Sequence, residues 1–184
     1  MKILQLLLAW ILVLGTGTAA EETRFFEMRT YYAAPGKLED LLSRFRNHTT
    51  RIFEKHGMVN IGYWLPLTNT ENRIIYLLAY PSREAREKSW IEFSADPQWQ
   101  TVARESERNG KLVGRAESVF LESVDLSPPV KPGQSASPRL FELRTYRAAP
   151  GKLDSLLARF RNHTTKLFAK HGMTQFGYWV PTEK

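Results

Sequence analysis

The sequence predicts an α+β fold: a split β-α-β unit with helices on one face of an antiparallel sheet, followed by a partial β-α-β repeat. Three observations predict it. Strand-like and helix-like segments alternate along the first two thirds of the chain, a stretch of 41 residues recurs at an offset of 115, and a proline-rich segment separates the two copies. The 184 residues are 42% hydrophobic, which is enough for a packed core.

The first twenty residues predict a secretory signal peptide. Lys2 precedes a short apolar run, and small residues follow as far as Ala19 and Ala20. This layout is typical of an export signal with a small-residue cleavage site, and the run is short for a membrane span. We expect cleavage near Ala20, a secreted or periplasmic protein and no stable membrane span after cleavage. The alternative is an N-terminal anchor that is retained.

The repeat predicts a duplicated domain. Phe26–Pro66 aligns without gaps with Phe141–Pro181, and 29 of the 41 positions are identical. The period is too long for a solenoid, so the repeated unit is a whole domain. Between the copies, the Pro/Ser-rich stretch predicts a linker. The chain therefore divides into a signal peptide (1–20), a complete unit (21–124), a linker (125–138) and a partial second unit (139–184).

The first unit opens with a strand and a helix. Side chains alternate between two faces over Thr23–Tyr32, which predicts a strand. Apolar residues recur every three or four positions over Lys37–His56, which predicts a helix that ends at Gly57. We expect Leu41 and Phe45 on this apolar stripe to be buried between the helix and the sheet.

The remaining elements complete the unit. The patterns predict strands over Met58–Leu65, Arg73–Tyr80 and Leu112–Val124, and helices that begin at Ser82 and Asp96. The continuous apolar run of Arg73–Tyr80 is typical of a central strand buried on both faces. This order predicts the ferredoxin-like split β-α-β plan, with the strands in the spatial order 4-1-3-2.

At this point the sequence resembles the NIPSNAP family. The resemblance lies in FEMRTYYAAPGKLEDLLSRF, in FEKHGM followed by IGYW, in RIIYLLAY and in ADPQWQ; the second unit, FELRTYRAAPGKL to FGYWVP, resembles only the family's first half. It implies a dimeric α/β-barrel, in which two ferredoxin-like units self-associate through their sheets as a homodimer or as a tandem pseudo-dimer. Relatives on this fold include monooxygenases and haem-degrading enzymes. The secretory signal points to a bacterial cell envelope.

The second copy ends soon after its own second strand. It therefore lacks the strand that lies at the centre of the first unit, and its strands around Leu140–Arg147 and Thr174–Val180 should lack a shared neighbour. A fragment of this size buries too little surface to stand alone. We expect it to dock on the first unit's sheet or to pair with another chain, to be less stable than the first unit, and to leave Phe160, Leu167 and Phe168 partly exposed.

The catalytic residues are unknown from the sequence, and two candidates are His56 and Tyr31. His56 lies in the last turn of the predicted helix, where the helix dipole favours a protonated imidazole. It is either an acid, base or haem ligand in a pocket, or a capping histidine that binds the last carbonyl groups.

Several aromatic residues and one arginine suggest a pocket for a planar or acidic small molecule. The alternative is that these residues pack in the core and at the interface. The candidate pocket residues are Arg29, Tyr31, His48, His56, Tyr63, Trp64 and Trp90.

Other site classes lack their signatures. There is no cysteine, so disulfides and thiol chemistry are excluded. His48 and His56 lie eight residues apart, about 12 Å along a helix, which is too far to bind one metal ion. We therefore predict neither a metal site nor a cofactor. The net charge of +7 comes from basic residues interleaved with acidic ones, which does not indicate nucleic-acid binding.

Three functions remain open. The first is an exported binding or structural module of the NIPSNAP type. The second is a small-molecule enzyme of monooxygenase or haem-handling type, with a pocket between sheet and helices. The third is a truncated paralogue with reduced function.

Overall fold

The computed structural model describes residues 25–130, 132 and 139–182. The predicted signal peptide and most of the predicted linker lie outside the described residues. Among those described, no helix combines the length and the apolar content needed to cross a bilayer.

Five antiparallel strands form one sheet in the spatial order β2-β3-β1-β4-β5. The strands are β1 (Phe25–Ala33), β2 (Val59–Trp64), β3 (Arg73–Tyr80), β4 (Val113–Ser123) and β5 (Trp179–Pro181). The first four have the predicted split β-α-β order, with β3 between β1 and β2, so the α+β fold class is confirmed.

Six α-helices and two π-helical turns lie in the described part of the chain. They are α1 (Leu38–Arg44), π1 (Phe45–Thr49), α2 (Thr50–Lys55), α3 (Arg83–Ala95), α4 (Pro97–Ser106), α5 (Leu153–Arg159), π2 (Phe160–Thr164) and α6 (Thr165–Lys170). In the first unit the helices cover one face of the sheet, and the aromatic and aliphatic core lies between the two layers.

The predicted helix over Lys37–His56 forms, but a π-helical turn interrupts its middle. The backbone N–H of Thr50 donates to the carbonyl of Phe45, and the Thr50 hydroxyl donates to the same carbonyl at 3.2 Å. Leu41 and Phe45 are buried in the core, as predicted. Gly57 ends the helix with a φ of 74°, a left-handed conformation that glycine adopts without steric cost.

Caps set the starts of α3 and α4. The Ser82 hydroxyl accepts a hydrogen bond from the Ala85 N–H at 3.1 Å. Asp96 accepts one from the Gln98 N–H at 2.7 Å, and Pro97 occupies the first turn. Both caps agree with the sequence prediction. The two helices that they begin pack against the covered face of the sheet.

The second unit differs from its prediction in its strands. The residues over Leu140–Arg147 do not form a strand. Of the second predicted strand, Thr174–Val180, only Trp179 and Val180 lie in an observed strand, β5. The reason is that a strand needs a neighbour with which to form hydrogen bonds, and β5 finds one in β4 of the first unit.

Aromatic side chains of the second unit also contact the uncovered face of the first unit's sheet. Trp179 packs edge-on against Phe26 at 5.7 Å, and Trp64 packs against Phe141 and Phe176 at 5.7 and 5.8 Å between ring centroids. The second unit is therefore docked on the first within this chain.

The expected exposure of three apolar side chains in the second unit holds only in part. Leu167 is exposed and Phe168 is partly exposed, but Phe160 is buried. Phe160 is covered because the rings of Tyr146 and Tyr178 pack edge-on against it at 5.1 and 5.8 Å.

Candidate functional site

A buried carboxylate, Glu27 on β1, is the centre of the candidate site. Glu27 lies on the helix-covered face of the sheet and is fully buried. Its two oxygens accept hydrogen bonds from Arg86 at 2.8 and 3.0 Å, from the Trp90 indole at 3.0 Å and from the Tyr80 hydroxyl at 3.3 Å. Arg29 is the fourth partner residue and donates the fifth hydrogen bond. A buried charge with this many donors is stabilised where it lies.

Arg29 lies in an aromatic cage two residues along the same strand. Its guanidinium is 4.3 Å from the centre of the Trp90 ring and 5.4 Å from the centre of the Tyr31 ring. Its Nε donates to the Tyr76 hydroxyl at 3.0 Å, and its Nη2 donates to the Tyr31 hydroxyl at 3.3 Å. The cation is therefore held by aromatic faces and by the hydroxyl groups of two tyrosines.

The helix α3 supplies the second half of this cluster. Arg86 and Trp90 are four residues apart, so both side chains point from the same face of the helix toward the sheet. The Ser82 cap sets the start of α3, and the alternation of β1 places Glu27 and Arg29 on the face that α3 covers.

The ionisation states follow from burial and from these partners. Burial by itself would raise the pKa of Glu27, but the hydrogen bond from Arg86 and the charges of Arg29 and Arg86 outweigh it and hold that pKa below its usual range. Burial raises the pKa of Tyr76 and of Tyr80 far above the usual value for a phenol. The cluster thus contains one carboxylate, two guanidinium cations and the neutral phenols of Tyr76 and Tyr80.

The structure brings together four of the seven residues that the sequence suggested for a pocket. Arg29, Tyr31 and Trp90 belong to the cluster. Tyr63 joins it through Tyr76, because the two rings stack at 5.4 Å with an interplanar angle of 15°. The space between the sheet and the helices is filled by these rings.

Trp64 and the two histidines lie elsewhere. Trp64 is on the uncovered face of the sheet, against aromatic residues of the second unit. His48 is exposed and lines a cleft of about 390 Å³ between α1 and α4. Arg44 borders this cleft, where its Nη1 donates to Glu107 at 3.0 Å and its guanidinium lies 5.2 Å from the centre of the Trp99 ring.

His56 joins α2 to α4. Its Nε2 lies 2.7 Å from Oδ2 of Asp96, and Nζ of Lys55 lies 2.6 Å from the same oxygen. Hydrogen bonds from Lys55 and then His56 hold the pKa of Asp96 well below its usual range. The histidine therefore binds a side chain of the next helix, while its backbone N–H bonds the last turn of its own helix.

Sequence reasoning missed Glu27, Tyr76, Tyr80 and Arg86. One signal was present: Glu27 is a charged residue on the same face of a predicted strand as Arg29 and Tyr31. The partners on β3 and α3 are 47 to 63 residues away, and nothing in their local pattern connects them to β1. In the described residues, no group of three or more histidine, aspartate and glutamate side chains is placed to hold a metal ion.

Comparisons with known proteins agree with this architecture. The NIPSNAP family model matches residues 26–128 and 141–183, which is most of both units. A NIPSNAP domain protein of Burkholderia xenovorans has 27% sequence identity and a TM-score of 0.50, over 56% of this chain and 98% of its own. That bacterial domain corresponds in extent to one complete unit.

Two longer relatives match about three quarters of the chain. The NipSnap homolog of Dictyostelium discoideum is 24% identical over 140 residues, and NipSnap homolog 3B of Mus musculus is 27% identical over 138 residues. These alignments cover 75% and 74% of this chain but only 55% and 53% of the relatives, so the chain spans about half of their length. Because the family model matches most of both units and a solved NIPSNAP domain shares the fold, the chain belongs to the NIPSNAP family and has its dimeric α/β-barrel fold.

Proposed function

We propose that this chain is a NIPSNAP-type binding module that self-associates through the uncovered face of its sheet. The observation that carries the proposal is the contrast between the two faces of β1. On the covered face every ionisable group of the Glu27 cluster is bound to another, and aromatic rings fill the space. On the uncovered face, side chains of Met28 and Val119 remain accessible at the centre of the sheet.

The uncovered face has the composition of an interface. Its apolar centre is bordered by a polar row in which the Tyr32 hydroxyl donates to Glu117 at 3.1 Å and the Arg115 guanidinium lies 3.6 Å from the centre of the Tyr32 ring. An apolar centre with a polar rim is the usual anatomy of a protein–protein interface. The second unit covers the part of this face that extends from Leu121 across Phe26 to Trp64 on β2, and it leaves Val119 exposed and Met28 partly exposed.

The filled space on the covered face argues against a ligand pocket between the sheet and the helices, where the enzyme alternative placed one. A haem or an oxidisable substrate needs space between the sheet and the helices, and the rings around Tyr76 occupy that space. A small-molecule ligand would bind outside it, and the cleft beside Arg44 and His48 offers room for one.

The oligomeric state of the mature chain tests the proposal. Sedimentation velocity should show a dimer, and Val119→Glu should make it a monomer because a carboxylate at the centre of the interface would be buried without a partner. The matched control is Ile91→Glu, since Ile91 is exposed on α3 on the other side of the molecule. A monomeric wild-type protein at tens of micromolar would contradict the proposal, as would a dimer that survives Val119→Glu with an unchanged melting temperature.

We also propose that the chain is exported from a bacterial cell. The support is the signal-like layout from Lys2 to Ala20. Expression in a bacterial host followed by N-terminal sequencing should give a chain that begins at or near Glu21, in the periplasm or the medium. Recovery of intact Met1 in the membrane fraction would instead indicate a retained anchor.

A further inference from the structure

The cleft between α1 and α4 is lined almost entirely by polar side chains, and a buried cation borders it. Its volume of about 390 Å³ lies within the usual range of small-molecule sites. Among the described residues that line it, Val102 is the only apolar one. Arg44 also lines it and is only 6% exposed. A buried charge beside a polar cleft is the feature from which a ligand site can be argued.

The guanidinium group of Arg44 is bonded on one side only. Its Nη1 donates to Glu107 at 3.0 Å and to the Ser106 hydroxyl at 3.4 Å, and these are its hydrogen bonds in the described chain. Its Nε is buried and has no acceptor there. A buried N–H without an acceptor is unfavourable, so this edge of the group lacks a partner.

The unpartnered edge of Arg44 has the geometry that recognises a carboxylate. Two neighbouring N–H groups of a guanidinium bind the two oxygens of a carboxylate through parallel hydrogen bonds. Protein atoms cover Nε, so a ligand reaches this edge after a small turn of the guanidinium toward the cleft. Such a turn breaks no hydrogen bond of Nε, because Nε has none to lose.

The π-helical turn adds polar side chains beside Arg44. Asn47 and His48 belong to π1 and line the cleft, and π-helical turns are frequent at functional sites. The Asn47 amide donates to the Ser43 hydroxyl at 3.1 Å, which leaves its carbonyl oxygen as an acceptor. In the described chain, the side chains of His48 and Asn109 make no hydrogen bond, so both are free to bind a ligand.

The charges around the cleft select against a ligand that is only anionic. Lys37 and Asp40 pair with each other at 3.0 Å, and Arg44 and Glu107 pair at 3.0 Å, so these charges cancel. Glu105 on α4 is exposed, lines the cleft and has no ion pair within the described residues. A ligand with an ammonium group would find its counter-charge in Glu105.

We propose that this cleft binds a free amino acid with a polar, uncharged side chain. The carboxylate of the ligand binds the open edge of Arg44, and its ammonium group binds Glu105. Its side chain forms hydrogen bonds with Asn47, His48 and Asn109. The site lies among the helices, so it does not depend on the dimer that we propose through the uncovered face of the sheet.

Isothermal titration calorimetry of the mature chain with L-serine, L-asparagine and L-glutamine tests the proposal. At least one of them should bind with a Kd of about 1 mM or lower. Its C-terminal amide lacks the carboxylate, and its N-acetyl derivative lacks the ammonium group. Each derivative should bind at least about tenfold more weakly, because each loses a charge-assisted contact.

Two substitutions assign the binding to the cleft. Arg44→Lys should weaken it about tenfold, because an ammonium group cannot form the two parallel hydrogen bonds of a guanidinium. Glu105→Gln should also weaken it about tenfold, and its melting temperature should stay close to that of the wild type because Glu105 is exposed. The matched controls are Arg46→Lys on π1 and Glu87→Gln on α3, both exposed and outside the cleft. Neither should change the Kd.

Three results would overturn the proposal. The first is that none of the three amino acids binds with a Kd below about 1 mM. The second is that the amide or the N-acetyl derivative binds as tightly as its parent. The third is that Glu105→Gln leaves the Kd unchanged or that Arg46→Lys weakens binding as much as Arg44→Lys does. Val119→Glu should not alter the Kd, so failure of this test and failure of the dimer test are distinguishable.

Discussion

Replacement of Glu27 by alanine should be among the most destabilising single changes in this protein. The carboxylate is fully buried and accepts five hydrogen bonds, three of them from arginine. Its removal leaves the guanidinium groups of Arg29 and Arg86 next to each other without a counter-charge. Breaking a buried ion pair by removing one partner costs about 3–5 kcal/mol of unfolding free energy, and we expect Glu27→Ala to fall in this range.

The duplication supplies a matched control for this change. Glu142 is the counterpart of Glu27 and binds the counterpart arginine, Arg144, at 2.7 Å. Both side chains are at least half exposed. Exposed ion pairs contribute about 0–1 kcal/mol, so Glu142→Ala should cost less than about 1 kcal/mol. The same residue type in the same sequence motif should therefore give two very different losses.

Urea unfolding followed by tryptophan fluorescence measures both losses. Trp90 donates to Glu27, so its emission reports directly on the cluster. The slopes of the two transitions should agree with the wild type, which would show that the midpoint shifts reflect stability. If Glu27→Ala cost less than about 1 kcal/mol, or no more than Glu142→Ala, the conclusion that this buried carboxylate compensates two arginines would be wrong.

Three further predictions concern the core, the helix junction and the second unit. Phe45→Ala should cost about 3–5 kcal/mol in the same urea assay, since it removes a ring from the core of the first unit. Phe160 is also buried, but it lies in the second unit, which we expect to be less stable, so Phe160→Ala should change the main transition by less than about 1 kcal/mol. The pKa of Asp96 is lower in the folded state than its ordinary value of 3.8, so the unfolded state binds more protons. Its stabilising effect is complete above that value and is lost as the pH falls below it. The melting temperature of Asp96→Asn, measured from pH 6 to pH 3, should therefore fall less steeply than that of the wild type. Amide hydrogen exchange should be faster in α5 and α6 than in α1 and α2; equal protection in a strictly monomeric sample would contradict the lower stability expected of the second unit.

The sequence alone predicted the helices and strands whose patterns lie within one short segment. The apolar stripe predicted the helix that contains Leu41 and Phe45, and the Ser82 and Asp96 caps predicted where two further helices begin. The continuous apolar run of Arg73–Tyr80 predicted a central strand, and the spatial order of the first four strands followed from the order of the elements. Each of these signals depends on hydrogen bonds or burial patterns within a short segment.

The candidate site was predicted only in part. The two-residue alternation of β1 places Glu27, Arg29 and Tyr31 on one face, which the sequence shows. The pairing with Arg86 spans 59 residues and depends on how α3 packs across the sheet. A contact of this kind has no local sequence signature, so only the tertiary structure shows that Glu27 is the centre of the cluster.

The two copies show most clearly what the sequence determines and what the tertiary structure determines. FEMRTYY and FELRTYR are nearly the same sequence, yet the first forms β1 and the second forms no strand, while the helix that follows is the same in both, including its π-helical turn. A helix satisfies its hydrogen bonds within its own segment, so its sequence determines it in either context. A strand needs partners on its edges, and β1 has β3 on one side and β4 on the other. The sequence thus determined the helices and the duplication, and the tertiary structure decided which of two similar segments became a strand, because only one of them has neighbours to pair with.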